Sequence, residues 1–252
     1  KDQVSDGWKV VDGALTRVAQ GAGDIITEKK YDSFELSLEY KISKAGNSGV
    51  MFHVLETDGP PWHTGPEIQV QDNVDGHDPQ KAGWLYQLYQ PIVPAWAVDK
   101  TVPDAPRPAG EWNQLYIRIN KNDCEVCMNG VRYFHFKLGD RDWDSKVAAS
   151  KFAKFDGFGK AGEGYICLQD HGDEVAYRNI KIREFSEDGT VPQPIDSNLN
   201  LAGMLAFPNL KWDQWEPVDD SGNLRPLRLM ELTYAKDGSN RLFAASQYGA
   251  IW

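Results

Sequence analysis

Along most of the first 185 residues apolar and polar side chains alternate with a period of two, interrupted by Gly, Asn, Asp and Pro. Phe34, Leu36, Leu38, Tyr40 and Ile42 share one side of the run 34–42, with Ser, Lys and Glu between them. That spacing predicts a half-buried strand whose second face meets water. The stretch 7–15 reads as two strands joined at Asp12-Gly13, and Asn129-Gly130 turns the run 124–128 into 131–134 in the same way. Both dipeptides favour the tight turns of β-hairpins. Further strands are predicted at 24–27, 47–54, 65–73, 112–119, 164–170 and 175–184. In 47–54 the alternation sets Met51 and His53 opposite Val50, Phe52 and Val54. Residues 139–162 lack a long apolar stripe and predict loop, with room for one helical turn. Ten or more short strands and no helix point to an all-β, two-sheet antiparallel sandwich.

The central stretch is Gly65-Pro66-Glu67-Ile68-Gln69-Val70-Gln71-Asp72-Asn73. As a strand it puts Ile68 and Val70 in the core and Glu67, Gln69 and Gln71 on the other face. A polar row framed by His53, Trp62, His63 and Trp84 suits a sugar, which offers hydroxyls in the ring plane and CH patches on the ring face. The plainer alternative is a polar strand face that meets solvent. Residues 56–108 form a long segment rich in Pro, Gly and Asp. Its Trp62, Trp84, Tyr86, Tyr89 and Trp96 argue against disorder and either line a binding mouth or cap the rim of the core.

Composition narrows the function further. The chain has 252 residues and a formal net charge of −10, without a Lys/Arg cluster. That balance disfavours nucleic acid, whose phosphates need a basic face, and is compatible with a neutral carbohydrate. No apolar run approaches the ~20 residues of a membrane span. Three cysteines are too few for a disulfide framework. Cys124 and Cys127 form one CxxC, but within a strand residues three apart face opposite ways, so buried small side chains are a better reading than a zinc or redox pair.

Several segments in order carry a family resemblance: Trp8-Lys9-Val10 with Asp12-Gly13, Asn47-Ser48-Gly49-Val50, the 65–73 stretch, Pro108-Ala109-Gly110-Glu111-Trp112-Asn113, Asn129-Gly130, and Leu168-Gln169-Asp170-His171-Gly172 with 177–182. Together they resemble the 3-keto-disaccharide hydrolase family, over about residues 1–185. The resemblance implies a concanavalin-like lectin/glucanase jelly roll, and a secreted or periplasmic bacterial glycosidase acting on oxidised disaccharides or glycosides. Jelly-roll glucanases place two carboxylates on one strand; here the positions two and four after Glu67 are Gln69 and Gln71, so that mechanism lacks its second acid. A 3-keto sugar opens another route. Its carbonyl acidifies the C2 proton, a base removes it, the enolate expels the C1 substituent, and water adds. Glu67, His171 and His53 are the candidate bases, with Gln69, Gln71, Trp62, His63, Trp84 and Tyr86 as substrate-binding residues. A divalent metal ion is a candidate electrophile, held by a histidine and a carboxylate. For His171, pinning its turn through backbone hydrogen bonds is an equal alternative to catalysis, and a lone His53 beside apolar residues also fits a structural histidine.

After Glu184 the composition becomes that of a linker over 186–204. The run 205–252 resembles the start of a glucose/sorbosone dehydrogenase-like β-propeller, of which only part of one blade is present. This implies either a longer protein with a C-terminal propeller domain or a tail that packs its strands on the sandwich. The whole chain therefore reads as a hydrolase or lyase of 3-keto-glycosides, or as a non-catalytic carbohydrate-binding module of a larger secreted oxidoreductase.

Overall fold

In the computed structural model the chain divides into two compact units, Lys1–Asp196 and Ser197–Trp252. The described residues are 4–93, 102–120, 123–191, 218, 221–223, 229–234 and 242–246. The first unit is a two-sheet antiparallel sandwich, the jelly-roll architecture expected. Its strands are β1 (Trp8–Val11), β2 (Ala14–Arg17), β3 (Ile25–Ile26), β4 (Phe34–Ile42), β5 (Asn47–Val54), β6 (Glu67–Gln71), β7 (Asn113–Ile119), β8 (Cys124–Met128), β9 (Val131–Phe136), β10 (Tyr165–Leu168) and β11 (Val175–Glu184). One sheet has the order β1-β2-β11-β4-β7-β8-β9, the other β3-β10-β5-β6.

The two hairpins form as their turn residues require. Asp12 and Gly13 take φ of 49° and 77°, Asn129 and Gly130 49° and 79°, the left-handed pair that lets two strands reverse without splaying. Along β4 buried and half-buried residues alternate without a fault. Phe34, Leu36, Leu38, Tyr40 and Ile42 meet Leu115, Ile117 and Ile119 of β7 and Val50, Phe52, Ile68 and Val70 of the facing sheet in one core. Burying side chains of this size contributes about 1.5–3 kcal/mol each. The outer face of the four-stranded sheet carries a second, smaller cluster of Met51, Val54 and Cys167, against which Trp62 and Tyr165 pack.

Two expectations change. Residues 139–162 hold a nine-residue helix, α1 (Arg141–Ala149), followed by a 3-10 turn, Lys151–Lys154. Asp140 caps α1 by accepting the Trp143 N–H at 2.8 Å, and Asp142 and Asp144 complement its N-terminal dipole. Only Trp143 of the helix is buried, so no apolar stripe announced it. The second change is in β5. Between β5 and β10, Val54 pairs with Tyr165 and Met51 with Cys167, so β5 has one residue too many. This bulge, at which His53 has φ of 52°, flips the later side chains to the opposite faces. Val54 joins Met51 on the outer face, and His53 turns inward against Phe34 and Phe52.

Cys124 is buried and Cys127 half-buried on opposite faces of β8, and burial pushes both thiols up to about 11, far from a reactive thiolate. Of the segment 186–204 only 186–191 is described. In the second unit β12 (Leu229–Tyr234) and β13 (Leu242–Ser246) form an antiparallel ribbon; the remaining residues of the propeller-like run lie outside the described ones, apart from 218 and 221–223. Among the described residues no helix is long and apolar enough to cross a membrane.

Candidate functional site

The polar row of β6 is the floor of a cavity. Every residue of β6 is buried, because loops cover the outer face that alternation alone would leave in water. The cavity has a volume of about 340 Å³ and is lined by Asp24, Asn47, Trp62, Glu67, Gln69, Asp78, Tyr86, Lys151, Gln169, Asp170 and His171. This lies at the lower end of small-molecule sites. Pairing fixes the floor in rows. Met51 of β5 stands between Glu67 and Cys167, and Gly49 between Gln69 and Gln169, whose N–H bonds the Gly49 carbonyl at 2.9 Å.

Glu67 is 8% exposed, and among the described residues its carboxyl accepts no hydrogen bond. Burial pushes its pKa up to about 8; the Lys151 ammonium pulls it down, and the charges of Asp24 and Asp78 push it further up. The apolar neighbours Met51 and Cys167 in its row are the local cause of that desolvation. Around it, three buried amide atoms have no partner among the described residues: Gln69 Nε2, Gln169 Oε1 and Asn47 Oδ1. Leaving such atoms unpaired costs about 1–3 kcal/mol each. Three of them lining one cavity mark a surface built to hydrogen-bond a polar ligand.

The walls come from distant segments. Residues 83–86 run beside β6, the Gln69 N–H donating to the Trp84 carbonyl and the Tyr86 N–H to the Glu67 carbonyl, both at 2.9 Å. Tyr86 thereby stands next to Glu67, and its hydroxyl donates to Asp78 Oδ2 at 2.7 Å. Burial and this bond raise the phenol above its ordinary range. Lys151 Nζ lies 4.3 Å from the Tyr86 ring centre and 5.5 Å from that of Trp62. On the opposite wall, Asp24 Oδ1 accepts the Asp170 N–H at 2.7 Å. Burial raises the Asp24 carboxyl above its ordinary range, against the pull of that bond. Asp170 is an anchor. It accepts from Arg17 Nε at 2.6 Å and from the N–H groups of Gly23 and Gly172, which together outweigh its burial and hold it low.

The structure thus brings together Glu67, Gln69, Trp62, Tyr86 and His171 of the residues expected at the site. His171 lines the cavity from an exposed position in its turn. His53 is elsewhere: the bulge buries it, its Nε2 pairs with the Asp32 carbonyl at 2.7 Å, and burial keeps its imidazole below its ordinary range. That placement corrects the candidate base at 53. Gln71 is spent on structure, its Nε2 donating to the carbonyls of Asp78 and Gln80. His63 stacks on Phe155 with ring centres 3.9 Å apart, and Trp84 lines a different cavity. Neither lines the Glu67 cavity. Asp24, Asn47, Asp78, Lys151, Gln169 and Asp170 join the site without having been singled out for it. Gln169 and Asp170 stood beside His171 in its motif, whereas Asp78 and Lys151 carry no local signal.

A larger cavity of about 840 Å³ runs past His53, Trp143 and Phe155, but it lacks the convergent unpaired amides of the smaller one. Among the described residues no group of three or more His, Cys, Asp or Glu side chains is arranged to hold a metal ion. The described residues therefore do not fit the divalent cation.

A family model described as a 3-keto-alpha-glucoside-1,2-lyase-like domain matches residues 1–183. A 3-keto-disaccharide hydrolase of Bacteroides thetaiotaomicron is 32% identical over 216 residues, 73% of this chain and 72% of that protein. A crystal structure of a glycosyl hydrolase candidate from Parabacteroides distasonis is 31% identical with a TM-score of 0.64, over 72% of this chain and 84% of the other. A second such structure from the same organism is 26% identical with a TM-score of 0.53, over 71% and 90%.

Proposed function

Because the chain belongs to the 3-keto-alpha-glucoside-1,2-lyase-like family, we propose that it is a glycoside hydrolase or lyase acting on 3-keto-glycosides. The observation that carries this reading is Glu67: one carboxyl that among the described residues has no hydrogen-bond partner, on an apolar-backed floor, beside three amide atoms equally without one.

The C3 carbonyl of such a sugar makes the C2 proton removable by a base of near-neutral pKa. At about 8, Glu67 is such a base: a minority is ionised at pH 7, and that fraction is stronger than an exposed carboxylate. It takes the C2 proton, the electrons pass to the C3 oxygen as an enolate, and the enolate expels the C1 oxygen with its substituent. The product is a 1,2-unsaturated 3-keto sugar. The departing alkoxide takes a proton from a water molecule, whose hydroxide then adds at C1 while Glu67 returns its proton to C2, completing net hydrolysis. Gln69, Gln169 and Asn47 hold ring hydroxyls, and Trp62 and Tyr86 offer faces to the sugar ring. A single base suffices, which accommodates the amides Gln69 and Gln71 where a glucanase would need its second acid.

The test is product formation from a 3-keto-disaccharide by the wild-type chain, Glu67→Gln and His171→Ala. Turnover by the wild type and its loss in Glu67→Gln supports the reading. Sugar binding without turnover in the wild type replaces it with the carbohydrate-binding module.

A further inference from the structure

We propose that Lys151 is a catalytic residue of this reaction, its ammonium standing at the C3 oxygen and stabilising the enolate that forms there. The inference rests on the 3-keto-glycoside reading above and supplies the positive group that reading needs.

Proton abstraction beside a ketone puts a full negative charge on one oxygen, which a cation beside that oxygen stabilises; Lys151 offers one from an exposed position lining the cavity. Of the residues lining the Glu67 cavity, Lys151 is the one lysine or arginine. It is close enough to lower the pKa of Glu67. Four carboxylates line the same cavity, yet among the described residues Lys151 forms no ion pair. Asp78 is occupied by the Tyr86 hydroxyl and the Gln80 N–H, and Asp170 by Arg17 and two backbone N–H groups. Instead the ammonium rests over aromatic faces, at 4.3 Å from Tyr86, 5.2 Å from Phe152 and 5.5 Å from Trp62. A ring face attracts an ammonium without consuming a particular N–H. The donors of Lys151 are left for a ligand.

Its backbone is also fixed before any ligand arrives. The Lys151 N–H donates to Gln87 Oε1 at 2.9 Å. Ser150 Oγ accepts the Phe152 N–H at 3.1 Å, capping the 3-10 turn. Phe152 is buried and stacked on Phe158 with ring centres 4.0 Å apart and planes 5° from parallel, so the backbone of Lys151 is tied to the core. An anchored backbone and the ring faces beneath the ammonium limit the reorganisation that the reaction asks of it.

The experiment separates enolate formation from the rest of the cycle. A 3-keto C-glycoside cannot lose its C1 substituent, so its C2 proton exchanges with D2O only through the enolate, which NMR reads directly. For Lys151→Met the expected result is a fall of about 10²–10³-fold in kcat on a 3-keto-disaccharide, KM changing less, with C2 exchange slowed by the same factor. Lys151→Arg retains part of both, and added ethylammonium restores part of the exchange in Lys151→Ala. If Lys151→Met fails to fold, Lys151→Gln replaces it. Exchange at the wild-type rate in the folded variant overturns the role. So does substrate-dependent inactivation by borohydride that requires Lys151, since that reports an iminium in place of an ion contact. A wild-type chain that neither turns over nor exchanges defeats the 3-keto reading itself, whereas a fully active Lys151→Met removes only this assignment.

Discussion

The carboxyl of Glu67 lies directly over Gly49: a Cβ at that position would come within 2.7 Å of Glu67 Cδ and closer still to Oε1. The two residues are cross-strand neighbours one row apart, since Gly49 pairs with Gln69 and Met51 with Glu67. The absent side chain at 49 is the space in which the candidate base lies. Gly49→Ala is expected to push the carboxyl aside, lowering kcat/KM about 100-fold, as a misplacement of about 1 Å does. Stability falls by no more than about 1–3 kcal/mol, the usual cost of overpacking. Steady-state kinetics beside a thermal melt test this, and an Ala variant with full activity sinks the claimed dependence.

The pH dependence of activity follows from the same carboxyl. A base must be ionised, and Glu67 is held at about 8 by burial, with Lys151, Asp24 and Asp78 as the charged groups that act on it. kcat/KM should therefore rise with pH up to about 8 and then level. Lys151→Met removes the positive charge that acts on Glu67 and should move that inflection upward. A profile already flat from pH 5 contradicts the assignment.

Stability should move the other way. The folded chain keeps the Glu67 proton to about 8, whereas the unfolded chain loses it near 4.5. Between those values the folded state binds more protons, so stability falls as pH rises, by at most roughly 1.4 kcal/mol per pH unit. Glu67→Gln abolishes this decline. Its melting temperature should exceed that of the wild type by a margin that is small at pH 5 and grows towards pH 8. A margin independent of pH rejects the shift.

The two histidines should separate by phenotype. His53→Ala opens a hole against Phe34 and Phe52 and frees the Asp32 carbonyl. It should cost about 2–4 kcal/mol while leaving kcat within a few-fold at temperatures where the variant is folded. His171→Ala, exposed in its turn, should leave the denaturation midpoint within about 0.5 kcal/mol of wild type and show its effect in turnover of the 3-keto-disaccharide. Chemical denaturation and kinetics on both variants check the contrast, and reversed phenotypes refute it.

What the sequence determined by itself was the sandwich and the character of its central strand. A period of two is a local property, and it assigned Phe34, Leu36, Leu38, Tyr40, Ile42, Ile68 and Val70 to the core. The turn dipeptides at 12–13 and 129–130 were equally local, because φ above zero is a demand met by particular residues. That Glu67 and Gln69 share a face came from the same alternation. Tertiary structure decided what that face meets. Loops cover it, so a row that could have been solvated is buried, and burial is what turns Glu67 from an ordinary carboxyl into one of near-neutral pKa. One extra residue in β5 reversed the faces of His53 and Val54; period-two reasoning fails after a bulge, since the register is set by the partner strand. Asp24, Asp78 and Lys151 reach Glu67 from segments that follow no common periodicity. Only chain closure sets such encounters, and a helix anchored by Trp143 and a 3-10 turn anchored by Phe152 bring the lysine in.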